Sequence, residues 1–189
     1  MAFYDTVQVD VSGLDGELQR MASVPGKLQR AIRLALNTVG RRVRTISWRE
    51  VRDEINLKPS YIRNEVNFIP ATQDELRVII YARKKGVTLS QFPHKQLYRR
   101  GQDGRRVKAG IRVRVSNSDT ELIQGAFIAP IGPAGGLIVE RIRKPRLPVE
   151  VLHGPSPSQV LNTKLDDIGE QAEELLADEI ERQLARVDL

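Results

Sequence analysis

Residues 154–184 read GPSPSQVLNTKLDDIGEQAEELLADEIERQL, a turn that opens directly into a sustained amphipathic helix. Ser156 suits the N-cap, Pro157 the first helical position, where its missing N–H costs nothing, and Gln159 the third, where it completes a capping box. Leu165, Ile168, Ala172, Leu175, Leu176, Ile180, Leu184 and Val187 then recur by threes and fours. That spacing predicts one helix over 157–189 with an apolar face toward the core. The stretch before it has a different period. Short apolar runs at 122–128, 137–142 and 148–152 are separated by Gly/Pro turns, and Ile111, Val113 and Val115 alternate with Arg112, Arg114 and Ser116. These read as strands, the last with one basic face.

Working back toward the N-terminus, the helical period returns. Leu28, Ile32, Ala35, Leu36, Val39, Val43 and Ile46 form an apolar stripe behind Pro25, with Arg30, Arg33, Arg41, Arg42 and Arg44 mostly off it. At ~1.5 Å per residue this helix is about 30 Å long, and Gly40 weakens it without ending it. Ser47-Trp48-Arg49-Glu50 matches a capping box and predicts a break and restart, and Pro59 predicts a second short helix after Asn56-Leu57-Lys58. Val66, Phe68 and the run 76–82 read as two strands around a turn at 71–74. Val7, Val9 and Val11 alternate as a short strand, and Ser12 caps a helical turn carrying Leu14, Leu18 and Met21. The expected fold is α+β. A long N-terminal amphipathic helix and a C-terminal helix pack on a mainly antiparallel sheet, as a single domain over 1–189, with a long basic hairpin or arm at 83–110.

Charge is segregated along the chain. Thirty Lys and Arg against 24 Asp and Glu give a net +6 over 189 residues, but 20–52 is locally +8, 83–114 is +10 and 165–189 is −7. Each block admits a bland reading as a solvated face; the second is denser and rich in glycine, which favours a surface for a polyanion or an acidic neighbour. Lys84, Lys85, Arg99, Arg100, Arg105, Arg106 and Lys108 are its candidate DNA- or partner-contacting residues, and Glu173, Glu174 and Asp178 on the acidic helix are candidates for subunit contact.

The chemistry of an enzyme is missing. There is no cysteine, so disulfides, thiol nucleophiles and thiolate metal sites are excluded together. His94 and His153 are the two histidines, in no metal-ligand spacing, and read as surface or loop residues. No cofactor, catalytic or metal residue is expected. Gly132-Pro133-Ala134-Gly135-Gly136 lacks the spacing of a dinucleotide loop, and no G-x-S-x-G elbow occurs. The acidic residues of the last helix fall mostly on its solvent side rather than converging on a metal. No apolar run approaches the ~20 residues of a membrane span, and the first residues lack the basic and apolar regions of a signal peptide. Phe92 and Tyr98 are the aromatics within the basic stretch, too few for a single-strand binder, so contact with DNA would be electrostatic and blind to sequence.

Gly125-Ala126-Phe127-Ile128, then Leu147-Pro148-Val149-Glu150-Val151-Leu152, then Gly154-Pro155-Ser156 resemble the minor tail protein Z family of long-tailed bacteriophages. Ala31-Ile32 through Leu36-Asn37-Thr38 and the basic strand near 105–115 match more loosely. The resemblance implies a structural, non-enzymatic tail-completion protein at the head-proximal end of the tail tube, forming a ring of six. Tail terminator, tail tube and head-connector proteins would be its partners, and channel DNA a sequence-independent contact. The alternative is a free-standing nonspecific nucleic-acid-binding protein.

Overall fold

Helix α1 spans Gly26–Glu54 in the computed structural model, which describes residues 9–10, 26–132, 136–142 and 147–186. The expected start at Pro25, the short helix after Ser12 and strand residues Val7 and Val11 lie outside those residues. The chain is α+β and divides into two compact units. The first takes Met1–Val51, Arg63–Lys84 and Pro157–Leu189, and the second Arg52–Ile62 and Lys85–Ser156.

In the first unit α1 buries most of the expected stripe, Ile32, Ala35, Leu36, Val39 and Val43, with Leu28 and Ile46 half-buried, and leaves Arg30, Arg41 and Arg42 exposed. The break expected at Ser47 does not occur. Ser47 is fully buried with its hydroxyl unpartnered, and Val51 extends the stripe by another turn. Core packing therefore overrides a local capping motif, and the helix continues to Glu54. Gly40 has a positive role there, because a Cβ at this position would lie 2.7 Å from Cγ1 of Val78. The helix can approach the neighbouring segment only through a residue without a side chain. Asn37 adds a two-way clasp, donating to the Ala71 carbonyl and accepting from the Ala71 N–H.

Helix α2 (Pro59–Glu65) begins at the expected proline and runs into β2 (Val66–Ile69). β2 pairs antiparallel with β3 (Ile79–Ala82), whose other side meets β1 (Val9–Asp10). Arg44 closes the outer side of β2 by donating from Nε to the Val66 carbonyl at 2.9 Å.

Among its described residues the second unit holds three small antiparallel sheets. β4 (Val87–Thr88) pairs with β11 (His153–Gly154). β5 (His94–Arg100), β6 (Arg106–Val113) and β7 (Glu121–Gln124) form the second, and β8 (Phe127–Ala129), β9 (Leu137–Arg141) and β10 (Val149–Val151) the third. Its buried residues include Phe92, Ile111, Val113, Ile138 and Val139. Gly125, with φ of 81°, turns the chain out of β7, so the run expected as one strand at 122–128 becomes two. Among the described residues the single expected sheet is thus four small ones, because glycine and proline punctuate the strands too often for one sheet to grow.

Two further expectations change. The segment 83–110, expected as a long basic hairpin or arm, shows no separate basic arm; it contains β4, a 3₁₀ turn at Leu89–Gln91, β5 and most of β6, the last two paired as a hairpin. Lys95, Arg99, Arg100, Arg106 and Lys108 sit on β5 and β6, whereas Arg83, Lys84 and Lys85 precede β4 and Arg105 lies in the turn between β5 and β6. The acidic C-terminal helix is α3 (Pro157–Thr163) followed by α4 (Leu165–Leu184), interrupted at Lys164, whose φ and ψ of −113° and 10° leave the helical region. Pro157 is the first helical residue, as its chemistry demands. α1 packs against α4, where Ile168, Ala172 and Leu176 are buried.

No helix among the described residues is long and apolar enough to cross a membrane.

A cationic hairpin as candidate interaction surface

β5 and β6 are joined by a tight turn. Gly101 donates to the Arg105 carbonyl, Gly104 donates back to Gly101, and Gly104 takes the left-handed φ of 73° that such loops place on glycine. Register then dictates the surface. Arg100 lies directly opposite Arg106 and Tyr98 opposite Lys108, with a bulge between Leu97 and Tyr98 leaving Ala109 without an opposite residue. Side chains alternate along a strand, so Tyr98, Arg100, Arg106 and Lys108 share one face, while Arg99 is on the other. Gly110 makes the bulge possible, since a Cβ there would meet the Ile123 carbonyl at 2.6 Å. Gln96 secures the site by donating to the Gly110 carbonyl and accepting from the Ile128 N–H.

Two rings organise the cations on this face. The Arg106 guanidinium lies 3.9 Å from the centroid of Tyr98. Lys108 Nζ is 5.1 Å from the ring of Phe127, and Arg141 of β9 is 5.0 Å from that same ring. Lys108 also donates to the Ile128 carbonyl at 2.8 Å. An aromatic face attracts a cation without neutralising it. The charges are therefore held in place yet remain available to an anion, and Arg100, Arg106, Lys108 and Arg141 are all exposed. By contrast Arg105, in the turn, faces Asp103 at 3.7 Å.

The structure brings five of the seven nominated cations onto one hairpin, three of them onto one face. Lys84 and Lys85 lie in the segment 83–86 ahead of β4, at the division between the two units. Tyr98, Phe127 and Arg141 were not nominated from sequence. The alternation of Tyr98 with Arg100, and of Arg106 with Lys108, about a D-G turn was the available signal for Tyr98; Phe127 and Arg141 come from β8 and β9, and no local pattern announces them.

On α4, Glu173, Glu174 and Asp178 are exposed together with Asp166, Asp167, Glu170 and Glu181. Glu179 is the exception, only 3% exposed and facing α1. It accepts from Arg182 at 2.7 Å and Gln183 at 2.8 Å, with Arg42 of α1 at 4.0 Å. The Gln183 hydrogen bond, with Arg182 and Arg42, holds its carboxyl below the usual value against the opposing cost of burial. A carboxyl more acidic in the folded chain stabilises the fold above its unfolded pKa, and that stability is lost as pH falls through the folded pKa. Glu179→Gln is therefore expected to cost about 1–2 kcal/mol at pH 7, discounted because both arginines are half exposed. The deficit should shrink toward zero in urea titrations carried well below about pH 4. An equal deficit at both pH values would mean that its charge is not what Glu179 supplies.

Neither histidine assembles a site. Of the expected surface or loop positions, His153 is exposed but lies in β11, and half-buried His94 opens β5, with its ring Nδ1 2.8 Å from the Phe92 carbonyl. A groove of about 500 Å³ beside His94, lined also by Asn56, Lys58 and Pro93, contains no carboxylate. No group of three or more His, Asp or Glu placed to hold a metal occurs among the described residues. What the described surface offers is charge, in two fixed arrays of opposite sign.

The sequence model described as prophage minor tail protein Z (GPZ) matches residues 11–187. No curated protein and no solved structure matches the chain.

Proposed function

The chain belongs to the prophage minor tail protein Z family, a family of structural tail proteins and not of enzymes, and from that premise we propose that it completes the head-proximal end of the tail tube as one subunit of a ring. Membership makes it a component of the phage tail, hence of the virion, with other tail proteins as partners. The ring, six subunits by resemblance, adjoins the tail terminator, tail tube and head connector and lets DNA pass. The observation that carries this reading beyond family membership is the hairpin array, with Arg106, Lys108 and Arg141 held by rings and Arg100 directly opposite Arg106, all exposed and without carboxylate partners among the described residues. In this role the array contributes electrostatically, to channel DNA or to an acidic protein neighbour.

Changing Arg105, Arg106 and Lys108 to Gln separates those two. If the hairpin meets duplex DNA, the log–log dependence of affinity on salt flattens by up to about three units, equally for any base sequence. If it meets protein, DNA affinity stays put and joining of tail to head fails. No change in either measurement would reduce the hairpin to a solvated loop. Family membership sets aside the alternative of a free-standing nonspecific nucleic-acid binder, because it makes the chain a tail component.

A further inference from the structure

We propose that the cationic–aromatic face of the β5–β6 hairpin docks onto the acidic face of α4 from a second copy of this chain. This rests on the ring reading above and names the contact that builds the ring.

Three observations carry it. Arg100 and Arg106 stand directly opposite each other across the hairpin, an arrangement that repels within the isolated chain and is relieved by an anion above it. α4 presents the converse, an exposed face with Glu170, Glu173, Glu174 and Asp178, while the ion pair formed on that face is Asp167 with Lys164 at 4.0 Å. The two arrays also share a period. Residues two apart on a strand, such as Arg106 and Lys108, are separated by about 6.7 Å. Residues four apart on a helix, such as Glu170, Glu174 and Asp178, are separated by about 6 Å. Successive ion pairs can therefore form along one contact without distorting either element. Hairpin and helix are different patches, so the contact is head-to-tail, the kind that closes into a ring. DNA satisfies the hairpin alone and leaves the helix face unexplained. Bases of a single strand find Tyr98 and Phe127 already covered by Arg106, Lys108 and Arg141.

The test uses tails assembled without this chain and completed with an equimolar mixture of light and 15N-labelled protein, then treated with a zero-length carbodiimide. The expected product joins Lys108 to Glu170, Glu174 or Asp178 in mixed light–heavy pairs. It disappears in Lys108→Arg, which keeps the charge but cannot be coupled. As a second readout, R106E/K108E/R141E and E170K/E174K/D178K each lower incorporation into tails by about tenfold, and the chain carrying all six recovers it. Multimers by glutaraldehyde with no carbodiimide link between α4 and the hairpin overturn the docking and leave the ring standing. Monomers alone by glutaraldehyde overturn both. Shielding of Lys108 from acetylation by duplex DNA, but not by incorporation into tails, assigns the face to DNA and overturns the docking.

Discussion

Leu36→Asp is expected to abolish the folded first unit. Leu36 is 3% exposed in the middle of α1, one turn from Ile32 and from Val39, both equally buried. A carboxylate there has no cation placed to pair with it inside the stripe, because the arginines of α1 lie off the buried face. An unpaired buried charge is among the few single changes that cost about 4 kcal/mol or more. Whole domains are stable by only about 5–15 kcal/mol. The variant should therefore be found largely in inclusion bodies, or show no cooperative melt. Leu36→Ala, which removes volume without adding charge, should remain soluble with a loss of about 2–5 kcal/mol. A normally folded Leu36→Asp chain would mean that the stripe does not face the core.

Why that stripe was legible is a matter of period. Ile32, Leu36, Val39 and Val43 repeat at the spacing of one helix face, and no neighbouring element is needed to see it. Ser47 shows the limit of such reading. Ser-x-x-Glu is a local cue, but whether the serine caps or continues depends on what lies against it, and Ser47 is buried. At Lys164 the failure is the reverse: the apolar spacing runs through the interruption, and only the backbone shows the helix dividing.

The hairpin was half legible. Its cations were visible, but the arginine pairs at 99–100 and 105–106 mask the alternation that marks strands, so the segment reads only as a hairpin or arm. The cluster at Phe127 required more. Lys108, Phe127 and Arg141 belong to three strands, and strand register over such separations is fixed by long-range packing rather than by local sequence. The acidic face of α4 was legible residue by residue, except that Glu179 looked like its neighbours. Its role depends on Arg42, which lies far away in the chain.

Phe92→Ala should loosen the second unit rather than abolish it, with a more informative residue. Phe92 is 2% exposed, the largest fully buried side chain of the described chain. Its ring packs so closely on Gly154 that a Cβ there would lie 2.9 Å from Cε2. Truncation to alanine typically costs about 3–5 kcal/mol, since the cavity collapses only in part. Phe92 also stands at the base of the hairpin. Its N–H bonds the Leu89 carbonyl, its carbonyl meets the His94 ring, and the next residue, Pro93, accepts from Arg114. Loosening that base should let β5 slip against β6 and disperse Tyr98, Arg106 and Lys108, though none of them is altered. The expected result is loss of amide protection through β5 and β6 in hydrogen exchange, with tail completion falling alongside. Phe92→Leu, which refills most of the volume, should recover much of both. If hydrogen exchange shows the hairpin loosened while tail completion is unchanged, the fixed geometry of the cationic face is not what its partner recognises.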